Sequence, residues 1–293
     1  MSDLPATETQ SARTHDLDTR SIVDVVRLIV EDQRRAADAV LAQRAAIARV
    51  VEEIAARIRA GGRLHYIGAG TSGRLGVLDA SEMPPTFGTD PTLVCAHIAG
   101  GNAALRTAIE GAEDDADAGE REVCDHVHAG DALVGLSASG GAPYVAAALR
   151  AADACGAYTV AIVNSPNAPL VRAARDAIVL ETGPEVLTGS TRLKAGTSQK
   201  IALNAISTAL MVRIGKVYDN LMVDVVATNE KLRGRAERLV CTLAEVDEAR
   251  ARALLAQAGG RVKTAVVMAR RDVDAYTAAA LLAQADGSLR ALL

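Results

Sequence analysis

The chain has 293 residues, 49% of them hydrophobic, with a formal net charge of −4 and a pI near 5.8. That length and apolar content suffice for one large domain with a small one beside it. Aromatic residues make up only 2%, with no Trp and a single Phe, which argues against base-stacking platforms. The acidic balance leaves no basic footprint for nucleic acid or an anionic membrane surface. No apolar run reaches membrane-spanning length and the amino terminus lacks the apolar core of a signal peptide, so the cytoplasm is the expected compartment. Cys95, Cys124, Cys155 and Cys241 are scattered without a paired spacing and are expected to be reduced and structural.

Residues 1–18 are polar and mixed in charge, the composition of a flexible arm. Ile22, Val25, Val26 and Ile29, and then Ile47, Val50, Val51, Ile54 and Ile58, repeat at helical period and predict two amphipathic helices. Gly61 and Gly62 stop the second. Short apolar runs follow at 64–68, 92–98, 132–136, 158–163 and 177–180, separated by helical patterns over 74–83, 103–126 and 142–154. Near-continuous apolar strands alternating with helices predict a parallel sheet covered on both faces. A helix over 198–214 is apolar almost all round and should be buried. Beyond about residue 235 only short amphipathic helices remain, over 243–258, 262–269 and 273–284, with Gly259-Gly260 as a break. The expected organisation is an arm (1–18), an α/β domain with amino-terminal helices (19–235) and a small helical bundle resembling a ubiquitin-associated domain (236–293).

Two turns have the composition of an anion cradle. The first strand runs into Gly68-Ala69-Gly70-Thr71-Ser72-Gly73-Arg74, where glycines let backbone N–H groups converge at a helix start. The spacing also matches a dinucleotide fingerprint, but the second strand ends His97-Ile98-Ala99-Gly100-Gly101, without the acid that would bind a ribose. The third strand ends in Ser137-Ala138-Ser139-Gly140-Gly141, whose hydroxyls are either phosphate donors or helix caps.

Two carboxylates stand near these turns. Glu82 precedes Pro84, which should force the chain out of helix; a carboxylate at a helix carboxyl end is disfavoured in its charged form and suits a general acid. Glu113 lies in an acidic run, Glu110 to Asp115, that reads equally as solvated surface or a helix start. His126 and His128 are one residue apart, and no third ligand stands at suitable spacing, so no metal site is expected. His65 and His97 lie within strands, where packed histidines are the ordinary reading. No Gly-x-Ser-x-Gly elbow occurs, which removes the anchor for esterase chemistry.

The stretch Gly183-Pro184-Glu185-Val186-Leu187-Thr188-Gly189-Ser190-Thr191-Arg192-Leu193-Lys194-Ala195-Gly196-Thr197 resembles the signature shared by N-acetylmuramic acid 6-phosphate etherases and the glucokinase regulatory protein. Residues 68–88 and 108–115, Asn220-Leu221-Met222-Val223-Asp224 and Thr228-Asn229 resemble the bacterial etherases in particular. The resemblance implies a sugar isomerase (SIS) domain, a parallel five-stranded sheet flanked by helices, acting as a homodimer without metal or redox cofactor. It implies loss of D-lactate from N-acetylmuramic acid 6-phosphate and addition of water, in the recycling of cell-wall sugars. By the same resemblance Glu82 corresponds to the acid that protonates lactate and Glu113 to the second essential carboxylate, read here as the base. Thr71, Ser72, Ser137 and Ser139 correspond to phosphate and sugar donors. Ser190, Thr191 and Lys194 either complete the pocket or are structural, as caps of the long helix and a partner of Glu185. One departure stands out: many members carry Gly-Arg-Thr-Pro in the second turn, where this chain has Gly140-Gly141-Ala142-Pro143.

Two other readings share the fold. A regulator like the glucokinase regulatory protein resembles two fused copies of the domain, whereas this chain has one. A transcriptional regulator needs a basic helix-turn-helix, which the acidic balance opposes.

Overall fold

The computed structural model describes residues 4–224 and 230–293, apart from the side chain of Lys231. Five strands, β1 (Leu64–Gly68), β2 (Val94–Ile98), β3 (Ala132–Ser137), β4 (Tyr158–Val163) and β5 (Asp176–Val179), form one parallel sheet in the order β2-β1-β3-β4-β5. Every residue of β1, β3 and β4 is buried, which explains why their apolar runs do not alternate. Around them run α1 (Ile22–Ala42), α2 (Arg44–Arg59), α3 (Gly70–Phe87), α4 (Ala116–His126), α5 (Pro143–Ala154), the short α6 (Leu170–Ala173) and α7 (Lys194–Arg213). This is the helix-flanked parallel α/β architecture that the sequence predicts.

The chain divides into two compact units, residues 1–80 with 92–207, and 81–91 with 208–293, rather than at 235. The second unit holds a small hairpin of β6 (Val217–Tyr218) and β7 (Leu221–Met222) and the helices α8 (Glu230–Ala244), α9 (Glu248–Gln257), α10 (Val262–Arg271) and α11 (Ala275–Gln284). Its core is built on Val240, Leu254, Ala265 and Val266. The helix expected over 243–258 breaks at Glu245, which takes a φ of 58°, and restarts where the Asp247 carboxylate accepts from the Arg250 N–H at 2.8 Å. Among the described residues no helix is long and apolar enough to cross a membrane.

Four other expectations are corrected. The helix expected over 103–126 is two 3-10 turns followed by α4, because Gly111 adopts a φ of 71° and Asp115 caps α4 through the Ala118 N–H. Pro84 does not end α3: the helix runs on to Phe87, and the Gly88 N–H closes the last turn on the Pro84 carbonyl at 2.9 Å. Proline removes only its own donor, and close to a helix end that loss is small. The arm is tied down, with Thr14 donating to the Val186 carbonyl at 2.9 Å and Gly189 N–H to the Thr7 carbonyl at 3.3 Å. No cysteine is buried: Cys124 and Cys155 are exposed, Cys95 and Cys241 intermediate, and none of the four forms a disulfide.

One face of the sheet carries a buried polar hub. Asp79 of α3 accepts from the Tyr66 hydroxyl (3.0 Å) of β1 and from Asn204 (2.7 Å) and Ser207 (3.1 Å) of α7. Burial raises the Asp79 carboxyl above its ordinary range, and these three donors counter it. The opposite face packs α4 and α5 over Ile67, Leu133, Val145 and Leu149. A Cβ on Gly119 of α4 would stand 2.0 Å from the Tyr144 carbonyl of α5, so the two helices touch backbone to backbone there. On this face the rings of His65 and His97 stack at 5.3 Å and share a contact of 3.0 Å between Nδ1 and Nε2.

The amino terminus of α7 is held by a buried ionic cluster. The Glu185 carboxylate accepts from the N–H groups of Lys194 (3.2 Å) and Ala195 (2.8 Å), satisfying donors that the helix leaves open. The fully buried Lys194 ammonium meets Asp32 of α1 at 2.5 Å, donates to the Pro184 carbonyl and lies 4.0 Å from Glu185. Removing one member leaves uncompensated charge in the interior. Lys194→Met should therefore cost about 3–5 kcal/mol, read as a lower midpoint in urea unfolding; an unchanged midpoint contradicts this account. A pH effect follows from His65, which burial, and then the facing His97, lower to about 4. The unfolded ring titrates near its ordinary 6.5, so its contribution is complete above that pH and lost as pH falls toward 4. Thermal unfolding of the His65→Phe variant should depend less on pH between these limits than the wild type.

Candidate functional site

The order β2-β1-β3-β4-β5 places a topological switch between β1 and β3. The chain leaves β1 toward β2, then returns across β1 to β3, so the two following turns diverge and leave a crevice at the carboxyl edge. Gly68 and Leu136 are register partners, which sets the turns at 68–74 and 137–141 side by side. In the first turn α3 starts at Gly70, and the N–H groups of its first turn have no acceptor within the helix. A Cβ on Gly73 would come within 2.7 Å of the Gly68 carbonyl, so the helix start rests directly on the strand end. Converging N–H groups and a helix amino terminus make a place for an anion.

The hydroxyls expected as donors fall into two kinds. The Ser72 hydroxyl is buried and donates to Gln199 Oε1 at 2.7 Å; Gln199 in turn donates to Asn164 at 3.1 Å. Asn164 bonds the Leu180 carbonyl (3.0 Å) and the Ser198 hydroxyl (2.9 Å). Ser72 thus spends its proton on fixing the turn to α7 and offers an outside anion its backbone N–H. Ser137 and Ser139 instead accept, from the N–H groups of Gly140 (3.1 Å) and Gly141 (3.3 Å), which keeps their own hydroxyl protons for another acceptor. Thr71 lies against the first turn of α7, with its methyl 3.4 Å from where a Gly196 Cβ would stand. Ser190 and Thr191 precede α7 and are half-exposed; the helix cap is Glu185, not these residues. Lys194 lies in the buried ionic cluster with Asp32 as its nearest carboxylate. At the departure from the family pattern, a Gly141 Cβ would meet only Ser139 Oγ, at 3.8 Å, so a larger side chain has room there.

Glu113 is exposed on the 3-10 turn Ala112–Asp114, which packs against α5. Because α4 leads into β3, its amino end lies at the carboxyl edge of the sheet, and Gly119 touches the first turn of α5 there. Glu113 therefore stands on the same edge as the second turn. Glu82 is exposed in the last third of α3 and belongs to the second unit. In the stretch from Asn220 to Asp224, Asp224 pairs with Lys216 (3.1 Å) and Lys263 (2.8 Å). Thr228 and Asn229 lie outside the described residues.

A cavity of about 700 Å³ in the second unit is lined by Lys216, Asp224, Gly260 and Lys263, and by none of the residues chosen from the sequence. Its basic groups are already paired with Asp224, so the crevice at the switch point is the better candidate. Sequence reasoning missed Gln199, Asn164 and Glu185. Gln199 carried a signal, as a polar residue in a helix otherwise apolar nearly all round; Glu185, nine residues before the backbone it caps, carried none. It also missed a convergence of His97, Glu122 and His126, whose ligand atoms lie within 4.8 Å of one another.

Comparison with known proteins agrees with the geometry. The glucokinase regulatory protein N-terminal SIS domain matches residues 46–153, and the SIS domain matches residues 112–209. A phosphoheptose isomerase structure from Francisella tularensis superposes with a TM-score of 0.51 at 16% identity, over 65% of this chain and 98% of that one. The N-acetylmuramic acid 6-phosphate etherase of Symbiobacterium thermophilum is 51% identical over 89% of this chain and 87% of its own length. That of Deinococcus radiodurans is 49% identical over 92% of this chain and 88% of its own. Identity of this order across nearly the whole of both sequences, on an SIS fold with its crevice at the switch point, establishes that the chain belongs to the N-acetylmuramic acid 6-phosphate etherase family.

Proposed function

We propose that the chain is a lyase that removes D-lactate from N-acetylmuramic acid 6-phosphate and adds water to give N-acetylglucosamine 6-phosphate, in recycling of cell-wall sugars in the cytoplasm. The observation that carries this reading is the membership just described, joined to an anion-binding crevice at the switch point. The phosphate sits on the N–H groups of Gly70, Thr71 and Ser72 and on the hydroxyls of Ser137 and Ser139. Ser190 and Thr191 border the sugar, while Lys194 acts from beneath by holding the start of α7.

In the open-chain sugar the aldehyde acidifies the hydrogen on carbon 2. Glu113 takes that proton, the carbon 2–carbon 3 double bond forms, and the carbon 3–oxygen bond breaks as Glu82 protonates the departing lactate. Water then adds at carbon 3 and a proton returns to carbon 2. The sequence balances without oxidant or reductant. The elimination needs two groups of opposite protonation, which the two exposed carboxylates supply.

The same reading makes the protein a homodimer. Ile22, Val26 and Val30, expected from their period to face the core or border it, form with Val23 an apolar stripe on α1 that is 54–78% exposed. A second copy of α1 is the natural cover. Sedimentation velocity should show a dimer, shifted toward monomer by Val26→Asp; a monomeric wild type would remove this element of the reading.

The chemical test combines D-lactate release with exchange of the carbon 2 hydrogen in heavy water. Glu82→Gln and Glu113→Gln should each lower lactate release by about 10²–10⁴-fold. Glu82→Gln should retain carbon 2 exchange, and Glu113→Gln should lose it. Lactate release untouched by both substitutions sinks the assignment of roles. A wild type that binds the sugar phosphate but releases no lactate is a sensor instead.

A further inference from the structure

We propose that His97, Glu122 and His126 form a binding site for one divalent transition-metal ion of the zinc type, on the α4 side of the sheet and separate from the crevice. His97 comes from β2, and Glu122 and His126 stand four residues apart on one face of α4. His97 Nδ1 is 2.7 Å from Glu122 Oε1, and His126 Nε2 is 3.5 Å from the same oxygen. Ligands about 2.1 Å from a tetrahedral zinc lie roughly 3.4 Å apart, inside the 4.8 Å limit that bounds all three atoms. Two imidazoles and a carboxylate are a donor set that zinc accepts with a fourth position left for water. The His126 side chain is 53% exposed and Glu122 35%, so that position opens to solvent, while His97 at 9% anchors the set from inside.

The protons behind this triad supply an independent argument. A carboxylate only accepts, so the short contact to Glu122 requires the proton of His97 on Nδ1. His97 Nε2 is then the acceptor of its 3.0 Å contact, and His65 must donate from Nδ1. That leaves His65 Nε2 as a bare lone pair, buried without a hydrogen-bond partner and 3.4 Å from Asp131 Oδ2, which likewise only accepts. A cation on His97 Nδ1 reverses the relay. His97 then donates from Nε2 to His65 Nδ1, and His65 donates from Nε2 to Asp131. The proton count of the two rings is unchanged, and the opposed lone pairs become a hydrogen bond. The result is a ligating histidine backed by a second ring and a carboxylate, the outer support that metal-bound histidines ordinarily have. Three of the chain's five histidines take part in one stacked column, with His97 and His126 at 5.2 Å.

The test uses the full chain, stripped with a chelator and titrated with Zn²⁺ by calorimetry. His126 lies on the surface of α4, so His126→Ala should fold normally, and thermal unfolding without metal verifies this. The wild type should bind one ion per chain. His126→Ala and Glu122→Gln should each weaken binding by at least about tenfold, and His128→Ala should not. Replacement by Co²⁺ should give a visible absorption band in the wild type alone. Lactate release by His126→Ala should match the wild type, since the triad is no part of the crevice. Equal Zn²⁺ binding by wild type and His126→Ala, or the absence of saturable binding to the wild type, overturns the proposal.

Discussion

The reversal of strand order beside β1 is the constraint from which the rest follows. Right-handed crossovers send α3 to one face of the sheet and α4 and α5 to the other. The turns after β1 and β3 consequently part at the carboxyl edge, and backbone donors that would otherwise be covered face a common space. The chemistry of those turns is then decided by small residues. Glycine at 73 allows α3 to begin against the strand end, and serines at 137 and 139 turn their oxygens inward while keeping a proton to give.

A crevice edged by flexible turns binds poorly unless something fixes them, and here the fixing is done from α7. Gln199 and Asn164 join the first turn to the ends of β4 and β5 through buried hydrogen bonds. Glu185 and Lys194 set where α7 begins, with Asp32 as the counter-charge from α1. Buried polar groups of this kind are costly when incomplete. Placing them behind the crevice makes the geometry of the donors depend on the whole fold rather than on one loop.

The sheet was legible in the sequence because continuous apolar runs have no other use in a chain of this length. The strands at 64–68 and 158–163 match β1 and β4 residue for residue. The two turns were legible too, since Gly and Ser clusters at strand ends have few meanings. What stayed hidden were partners brought together by tertiary contact. Nothing local marks Glu185 as the cap of α7, and the separation of His97 from His126 conceals their meeting under α4. Pro84 misled for a different reason: its penalty applies to the donor it lacks, and near a helix end the remaining ladder carries the chain onward. The apolar period of α1 was real, yet Ile22 and Val26 face solvent in the protomer, because period reveals a face and not what covers it.

The central claim is that the sugar phosphate is held at the switch-point crevice by the turns after β1 and β3. Hydrogen–deuterium exchange of the full chain, with and without N-acetylglucosamine 6-phosphate, tests it directly. The account predicts that the ligand slows exchange at the amides of residues 70–72 and 137–141. Protection confined to residues 259–264, beside the cavity of the second unit, would contradict it.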